Sequence, residues 1–162
     1  MVAVERVGAE DWQRVRALRL RTLDDAPDAF WVTAQEEAAT SSAEWRRRLL
    51  RSDNATFVAH DNGVDVGLAV GAPHYEDEGD AGLYGLWVAP EARGRGVGHA
   101  LVQSVVMWAG AAGYPCVRLE VGDQNTPAVA LYERAGFRPS GRRSAFRAPR
   151  DHLTEHERRL EL

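Results

Sequence analysis

The sequence contains no lysine: all 20 of its basic residues are arginine. An arginine-only set is what the codon usage of a GC-rich gene produces. There is one cysteine, Cys116, so no disulfide can form within the chain, and a cytoplasmic, reducing home is the simplest expectation. No apolar run comes near the ~20 residues that a bilayer-spanning helix requires, so no membrane partner is expected. The opening segment from Met1 to Val7 lacks the basic stretch and long apolar core of a secretory leader. Excess positive charge is missing too: 24 acidic residues against 20 basic ones leave a net charge of -4. That balance excludes a binder that draws its affinity from neutralising phosphates, so no nucleic-acid partner is expected.

What is present is ordinary globular material. The chain is 44% hydrophobic and 27% charged, and its 162 residues fit one domain spanning 1–162. A chain of this length buries ~70% of its unfolded surface. Val2–Val7 reads as a strand. A helix capped at Glu10 or Asp11 follows, with Trp12, Val15, Leu18 and Leu23 as its apolar stripe and Arg14, Arg16, Arg19 and Arg21 as a solvated face. Pro27 breaks it, leaving Phe30 and Trp31 in a loop, where they either line a pocket or plug the edge of the domain. A second helix begins at Ser41 or Ser42 and buries Trp45, Leu49 and Leu50. Strands over 54–60 and 64–70 are joined by Asp61-Asn62-Gly63, a tight-turn signal, and residues 74–80 form an acidic loop.

The later half alternates strands and helices. A strand covers Leu83 to Pro90, a helix runs from Val97 to near Gly113, and a strand covers Cys116 to Val121. Asn125 or Thr126 caps a helix with Ala128, Leu131, Tyr132 and Ala135 on one face. Strands from Phe137 to Arg147 and from Glu155 to Leu162 close the chain. The order β α α β β β α β α β β predicts a three-layer α/β fold. Its middle strands are antiparallel, and the two strands joined by the Val97 helix run parallel.

One stretch stands out. Arg93-Gly94-Arg95-Gly96-Val97-Gly98 lies between a strand and a helix. Glycines let a backbone approach an anion, and the first turn of the helix offers unpaired N–H groups and the positive end of a dipole. A P-loop is excluded, because His99 and Ala100 follow where Lys-Ser/Thr is required. A dinucleotide fingerprint, the mark of a nucleotide-dependent oxidoreductase, starts well at Gly94 and Gly96 and has Glu120 at a suitable distance. It fails at His99, which replaces the third glycine.

Together with two further segments, the loop resembles the GNAT superfamily of acetyl-CoA-dependent N-acetyltransferases. Arg93–Gly98 fits the Arg/Gln-x-x-Gly-x-Gly/Ala loop, and Leu86-Trp87-Val88-Ala89-Pro90 is similar to the strand end before it. The segment from Asn125 to Phe137 is similar to Asn-x-x-Ala-x-x-Leu-Tyr-x-x-x-Gly-Phe. The resemblance implies a mixed, mostly antiparallel sheet of about seven strands, with helices on both faces and the fourth and fifth strands splayed around the cofactor.

It implies that the backbone of Arg93, Gly94, Arg95, Gly96, Val97, Gly98 and His99 grips the pyrophosphate of coenzyme A. Leu86, Trp87 and Val88 would pair with its pantetheine arm, and Asn125, Ala128 and Tyr132 would contact the arm and its sulfur. Tyr132 would be the general acid. Glu120, in a Leu-Glu-Val pattern resembling the ribosomal-protein alanine acetyltransferase branch, would be the base through water. Tyr84, Glu76, Asp77 and Glu78 are other candidates for that role. Phe30, Trp31, Tyr84 and the 74–80 loop would wall the acceptor site.

Each of these residues also has a plainer role. Tyr132 serves equally as a buried aromatic, Asn125 as a helix cap, and Glu120 as a strand carboxylate paired with Arg118 or another arginine. Cys116, without a companion base, reads as a core thiol. His152 and His156 are four apart but have no companions, so no metal is expected. The expected activity is direct acetyl transfer from acetyl-CoA to the primary amine of a small molecule or a protein N-terminus. The alternative is a non-catalytic acyl-CoA-binding module of the same fold, and the chain is expected to be a monomer or a homodimer.

Overall fold

The computed structural model describes residues 1–162. Seven strands form one sheet in the order β1-β2-β3-β4-β5-β7-β6. The strands are β1 (Val2–Val7), β2 (Ala55–Asp61), β3 (Val64–Pro73), β4 (Ala81–Val88), β5 (Cys116–Gly122), β6 (Arg138–Ala145) and β7 (Thr154–Glu161). The helices are α1 (Trp12–Asp25), α2 (Ala34–Ala38), α3 (Ser42–Leu50), α4 (Val97–Ala111) and α5 (Thr126–Arg134). All strand pairs are antiparallel except β4/β5, which the α4 crossover makes parallel, as the element order predicts. No helix is long and apolar enough to cross a membrane.

The parallel pair is the feature that positions the site. β4 and β5 are in register only at Ala81↔Val117 and Gly82↔Arg118, then separate. The cause lies on the other edge of β4. Tyr84 faces Val70 and Trp87 faces Leu68, so Gly85 and Leu86 stand opposite Ala69 alone. This is a β-bulge, made possible by Gly85 at φ 63°, a left-handed conformation that suits glycine. The extra residue bends β4 away from β5 and leaves a wedge between them.

The core lies between α4 and the sheet, with Val97, Leu101, Val102, Val105 and Ala109 buried along one helix face. Gly71 on β3 lets α4 come close: a Cβ there would sit 2.5 Å from the Trp108 ring and 3.2 Å from Val105. Gly71→Ala is expected to destabilise the protein by about 1–3 kcal/mol through overpacking. Gly110→Ala, on α4 where nothing lies within 4 Å, is expected to stabilise it. Denaturant midpoints of the two variants check the contrast.

Three sequence expectations change, and a fourth holds at an unusual place in the sheet. The segment after Pro27 holds an extra helix, α2, begun by a capping box in which Thr33 accepts from the Glu36 N–H and Glu36 accepts from the Thr33 N–H. Leu50 is 70% exposed instead of buried. Successive helix residues turn by about 100°, so Leu50 points well away from the side that buries Trp45 and Leu49. The arginines of α1 are not all solvated: Arg19 is largely enclosed, stacked at 4.8 Å on the Phe30 ring. The strand expected over 137–147 is β6, an edge strand exposed at every residue. Its Pro139, its three arginines and its irregular register blunt the open edge.

Candidate active site

The wedge between β4 and β5 opens into a cleft of about 860 Å³ lined by Leu86, Trp87 and Val88 on one side and by Asn125, Ala128 and Leu131 of α5 on the other. Its floor is the glycine loop: Arg93, Gly94, Gly96, Val97, Gly98 and His99 all line it. Gly94 and Gly96 have φ of 74° and 81°, the alternation that turns successive N–H groups into one concavity. Gly96 caps α4, and no side chain occupies the cap. The first-turn N–H groups of α4 therefore remain available to an anion.

The two arginines of the loop are tethered. Arg93 donates to the Val88 carbonyl at 2.9 Å and to Asp25 at 2.6 Å. Arg95 turns outward to Asp61 at 2.6 Å and is not part of the cleft lining. Asp25, the last residue of α1, also accepts from the Trp87 indole N–H at 2.9 Å. That bond and the Arg93 bond hold its carboxyl below the usual carboxylate range. Nothing in the local sequence pattern around Asp25 marks it, yet it fastens the end of α1 to both β4 and the glycine loop.

A second cavity, of about 430 Å³, continues from the cleft. Ala29, Phe30, Leu86, Gly122, Asn125 and Ala128 belong to both. Tyr132, Glu120, Tyr84, Trp31, Tyr75 and Glu155 line the second cavity. Asn125 caps α5 by accepting from the Ala128 N–H at 3.4 Å, and it lines both cavities. Tyr132 is buried, packs edge-on against Phe137 at 5.9 Å, and has its phenol pKa raised by burial alone. Tyr84 accepts from the Tyr75 N–H at 3.0 Å, and burial pushes its phenol up to about 12. Both phenols stay protonated near neutral pH, which suits proton donors and not bases. Glu76, Asp77 and Glu78 stand outside the lining.

Glu120 is not paired with an arginine. Arg118, two residues away on β5, goes to Glu157 at 2.7 Å and to Glu76 at 3.2 Å. The partner of Glu120 is His74, a fully buried side chain whose Nε2 lies 3.0 Å from Oε1. The Glu76 N–H donates to His74 Nδ1 at 3.3 Å, so the ring proton sits on Nε2 and is donated to Glu120. Burial raises the Glu120 pKa, and Glu155 and Glu157 push it further up, against the pull of His74. A carboxylate tuned upward suits a general base. Two residues of the acidic 74–80 loop reach the site: Tyr75 lines the chamber, and His74 holds Glu120 from behind.

His74, Glu120 and Glu157 also bring three donor atoms within 4.8 Å of one another, a set that could hold a cation, although the Arg118 guanidinium already neutralises Glu157. His156 pairs with Asp123 at 2.8 Å and not with His152. Cys116 is buried, and burial pushes its thiol up to about 12, in keeping with a core role.

A sequence model of the acetyltransferase (GNAT) family matches residues 12–137. The chain belongs to the GNAT acetyltransferase family. Its curated relatives include N-acetyltransferase family 8 member 2 of Rattus norvegicus, 29% identical over 119 residues, which cover 69% of this chain and 53% of that protein. They also include a mycothiol acetyltransferase of Clavibacter sepedonicus, 35% identical over 149 residues, covering 85% of this chain and 48% of the relative. The chain thus spans about half the length of these curated relatives. Among solved structures, a GCN5-related N-acetyltransferase from Kribbella flavida superposes with a TM-score of 0.79 at 28% identity, covering 99% of this chain and 98% of that one. The GNAT sheet also disposes of the dinucleotide reading: β4 and β5 are its only parallel pair, whereas a Rossmann site needs repeated parallel βαβ units.

Proposed function

We propose that this GNAT protein is an N-acetyltransferase that moves the acetyl group of acetyl-CoA directly onto a primary amine. The observation that carries the reading is the junction of the two cavities. The cleft bearing the anion-binding loop runs into a chamber whose walls hold a buried phenol, Tyr132, and an upshifted carboxylate, Glu120. The cofactor fits what the cleft offers. The loop and the uncapped start of α4 suit a pyrophosphate, and the free edge of β4 beyond Gly82 suits the amides of pantetheine as an added strand.

The chemistry follows from the placement. A lysine-like amine arrives as an ammonium with a pKa of ~10.4 and must lose a proton before it can attack. Glu120, steadied by His74, receives that proton directly or through one water. The amine lone pair then forms the new C–N bond at the thioester carbonyl while the C–S bond breaks. Tyr132 gives its proton to the departing sulfur, and the second proton that the nitrogen sheds as the amide forms restores the phenol, directly or through water. A free backbone N–H of bulged β4 over Leu86–Val88 would support the carbonyl oxygen as its charge develops.

The test measures acetyl-CoA binding by calorimetry and free thiol release against a panel of amines. Binding with amine-dependent thiol release is expected. Tight binding with no turnover on any amine would make the protein an acyl-CoA-binding module instead.

A further inference from the structure

We propose that the acceptor carries a second cationic group besides the reacting amine, and that Glu155 holds it between Trp31 and Tyr75. The inference rests on the acetyl-transfer reading above. Four carboxylate side chains are buried in this protein: Glu37, Asp80, Glu155 and Glu157. Three of them face arginines. Glu37 lies 3.2 Å from Arg48, Asp80 lies 3.6 Å from Arg118, and Glu157 lies 2.7 Å from Arg118. Glu155 is only 4% exposed and has no cationic partner at all. A buried carboxylate without a counter-charge is costly, and the cost is removed when a cation joins it.

The local geometry says where that cation comes from. Glu155 lines the chamber, not a closed part of the core. Its two protein hydrogen bonds, from the Trp31 indole N–H at 3.1 Å and from the Ser144 hydroxyl at 2.9 Å, both fall on Oε1. They orient the carboxylate and leave Oε2 for a ligand. Glu155 stands across the β5/β7 ladder from Gly122, which has no side chain to fill the space. Glu120 pairs with Glu157, so Glu120 and Glu155 are diagonal neighbours on the same face, roughly 7 Å apart at the backbone. A short diamine spans that separation, with one nitrogen at the proposed base and the other at Glu155. The Trp31 and Tyr75 rings meet edge to face at 6.2 Å and line the same chamber, offering π faces to an ammonium. The chamber has one cation of its own, Arg19, but it stacks on Phe30 and lies 3.8 Å from Glu37.

The experiment compares straight-chain α,ω-diamines, alkylamines of matched length and the corresponding ω-amino carboxylates as acceptors for the wild-type protein and for Glu155→Gln. The wild type is expected to favour a diamine over its matched alkylamine by about 10- to 100-fold in kcat/KM, the worth of one charge-assisted bond. Glu155→Gln is expected to collapse that ratio, mainly through KM for the diamine. Equal use of diamines and alkylamines by the wild type would overturn the proposal, and this arm does not depend on the variant folding. Preference for the amino carboxylates would overturn it in favour of recognition by Arg19. Acetyl-CoA binding with no acetylation of any acceptor would overturn the acetyl-transfer reading itself, and this inference with it.

Discussion

Tyr132→Phe is expected to lower kcat by about 10²- to 10⁴-fold, the usual worth of a general acid, while KM for acetyl-CoA stays near the wild-type value. The separation of the two constants follows from the position of the phenol. The ring is buried and packs on Phe137, and phenylalanine keeps that contact. The proposed pyrophosphate grip lies at the other end of the cleft, on Gly94, Gly96 and the start of α4, and does not involve the hydroxyl. Only proton delivery to the sulfur is lost. A thiolate that is poorer at leaving gains most from an acid, so donors with an activated leaving group should be less affected. Stopped-flow detection of thiol release with acetyl-CoA and with an activated thioester provides the check. A variant that turns over acetyl-CoA at the wild-type rate would reduce Tyr132 to a packing residue.

The two halves of the site were unequally legible in the sequence. The end proposed for the coenzyme is built from local geometry: a strand, two left-handed glycines and a helix start, all within Leu86–His99, and the capped helix at Asn125. Such features leave a contiguous pattern, and eleven of the thirteen residues expected to touch the cofactor line the cleft, all but Arg95 and Tyr132. The end proposed for the acceptor is assembled by long-range pairing. His74 meets Glu120 across 46 positions, and Trp31 meets Glu155 across 124. No periodicity announces contacts of that span, because each partner sits in a different element and the sheet order alone brings them together. Phe30, Trp31 and Tyr84 could be suspected as loop or strand aromatics, and they do line the chamber. His74 and Tyr75 were covered only by the expectation that the 74–80 loop walls the acceptor site, and Glu155 carried no signal at all. The glycine bulge at Gly85 was equally silent, since a glycine within a strand reads as a weak point until its partner strand is known.

Glu120→Gln is expected to abolish the acid limb of the pH–rate profile and to lower kcat/KM by about 10²- to 10⁴-fold. In the wild type that limb should rise with pH at a midpoint above the ordinary carboxylate range, because burial, Glu155 and Glu157 all disfavour the charged form. An amine acceptor titrates near ~10.4, far enough away to leave the limb to the enzyme. The groups facing Glu120 are His74, Tyr75 and Tyr84 as well as the two carboxylates. Of these, His74 alone stabilises its charge through a hydrogen bond. His74→Leu should therefore move the midpoint further up, whereas His74→Gln, which retains an N–H donor, should leave it close to wild type. A purely structural role for His74 would lower activity at every pH without moving the midpoint.

Stability gives an independent reading of the same carboxylate. Because its folded pKa is raised, the folded state holds the proton more tightly than the unfolded state, so the contribution of Glu120 to stability is present below the unfolded pKa and is lost as pH rises through the folded one. Glu120→Gln removes that penalty and should be at least as stable as the wild type at neutral pH. An inactive variant that unfolds at the same or a higher denaturant concentration would place the loss in the chemistry and not in the fold.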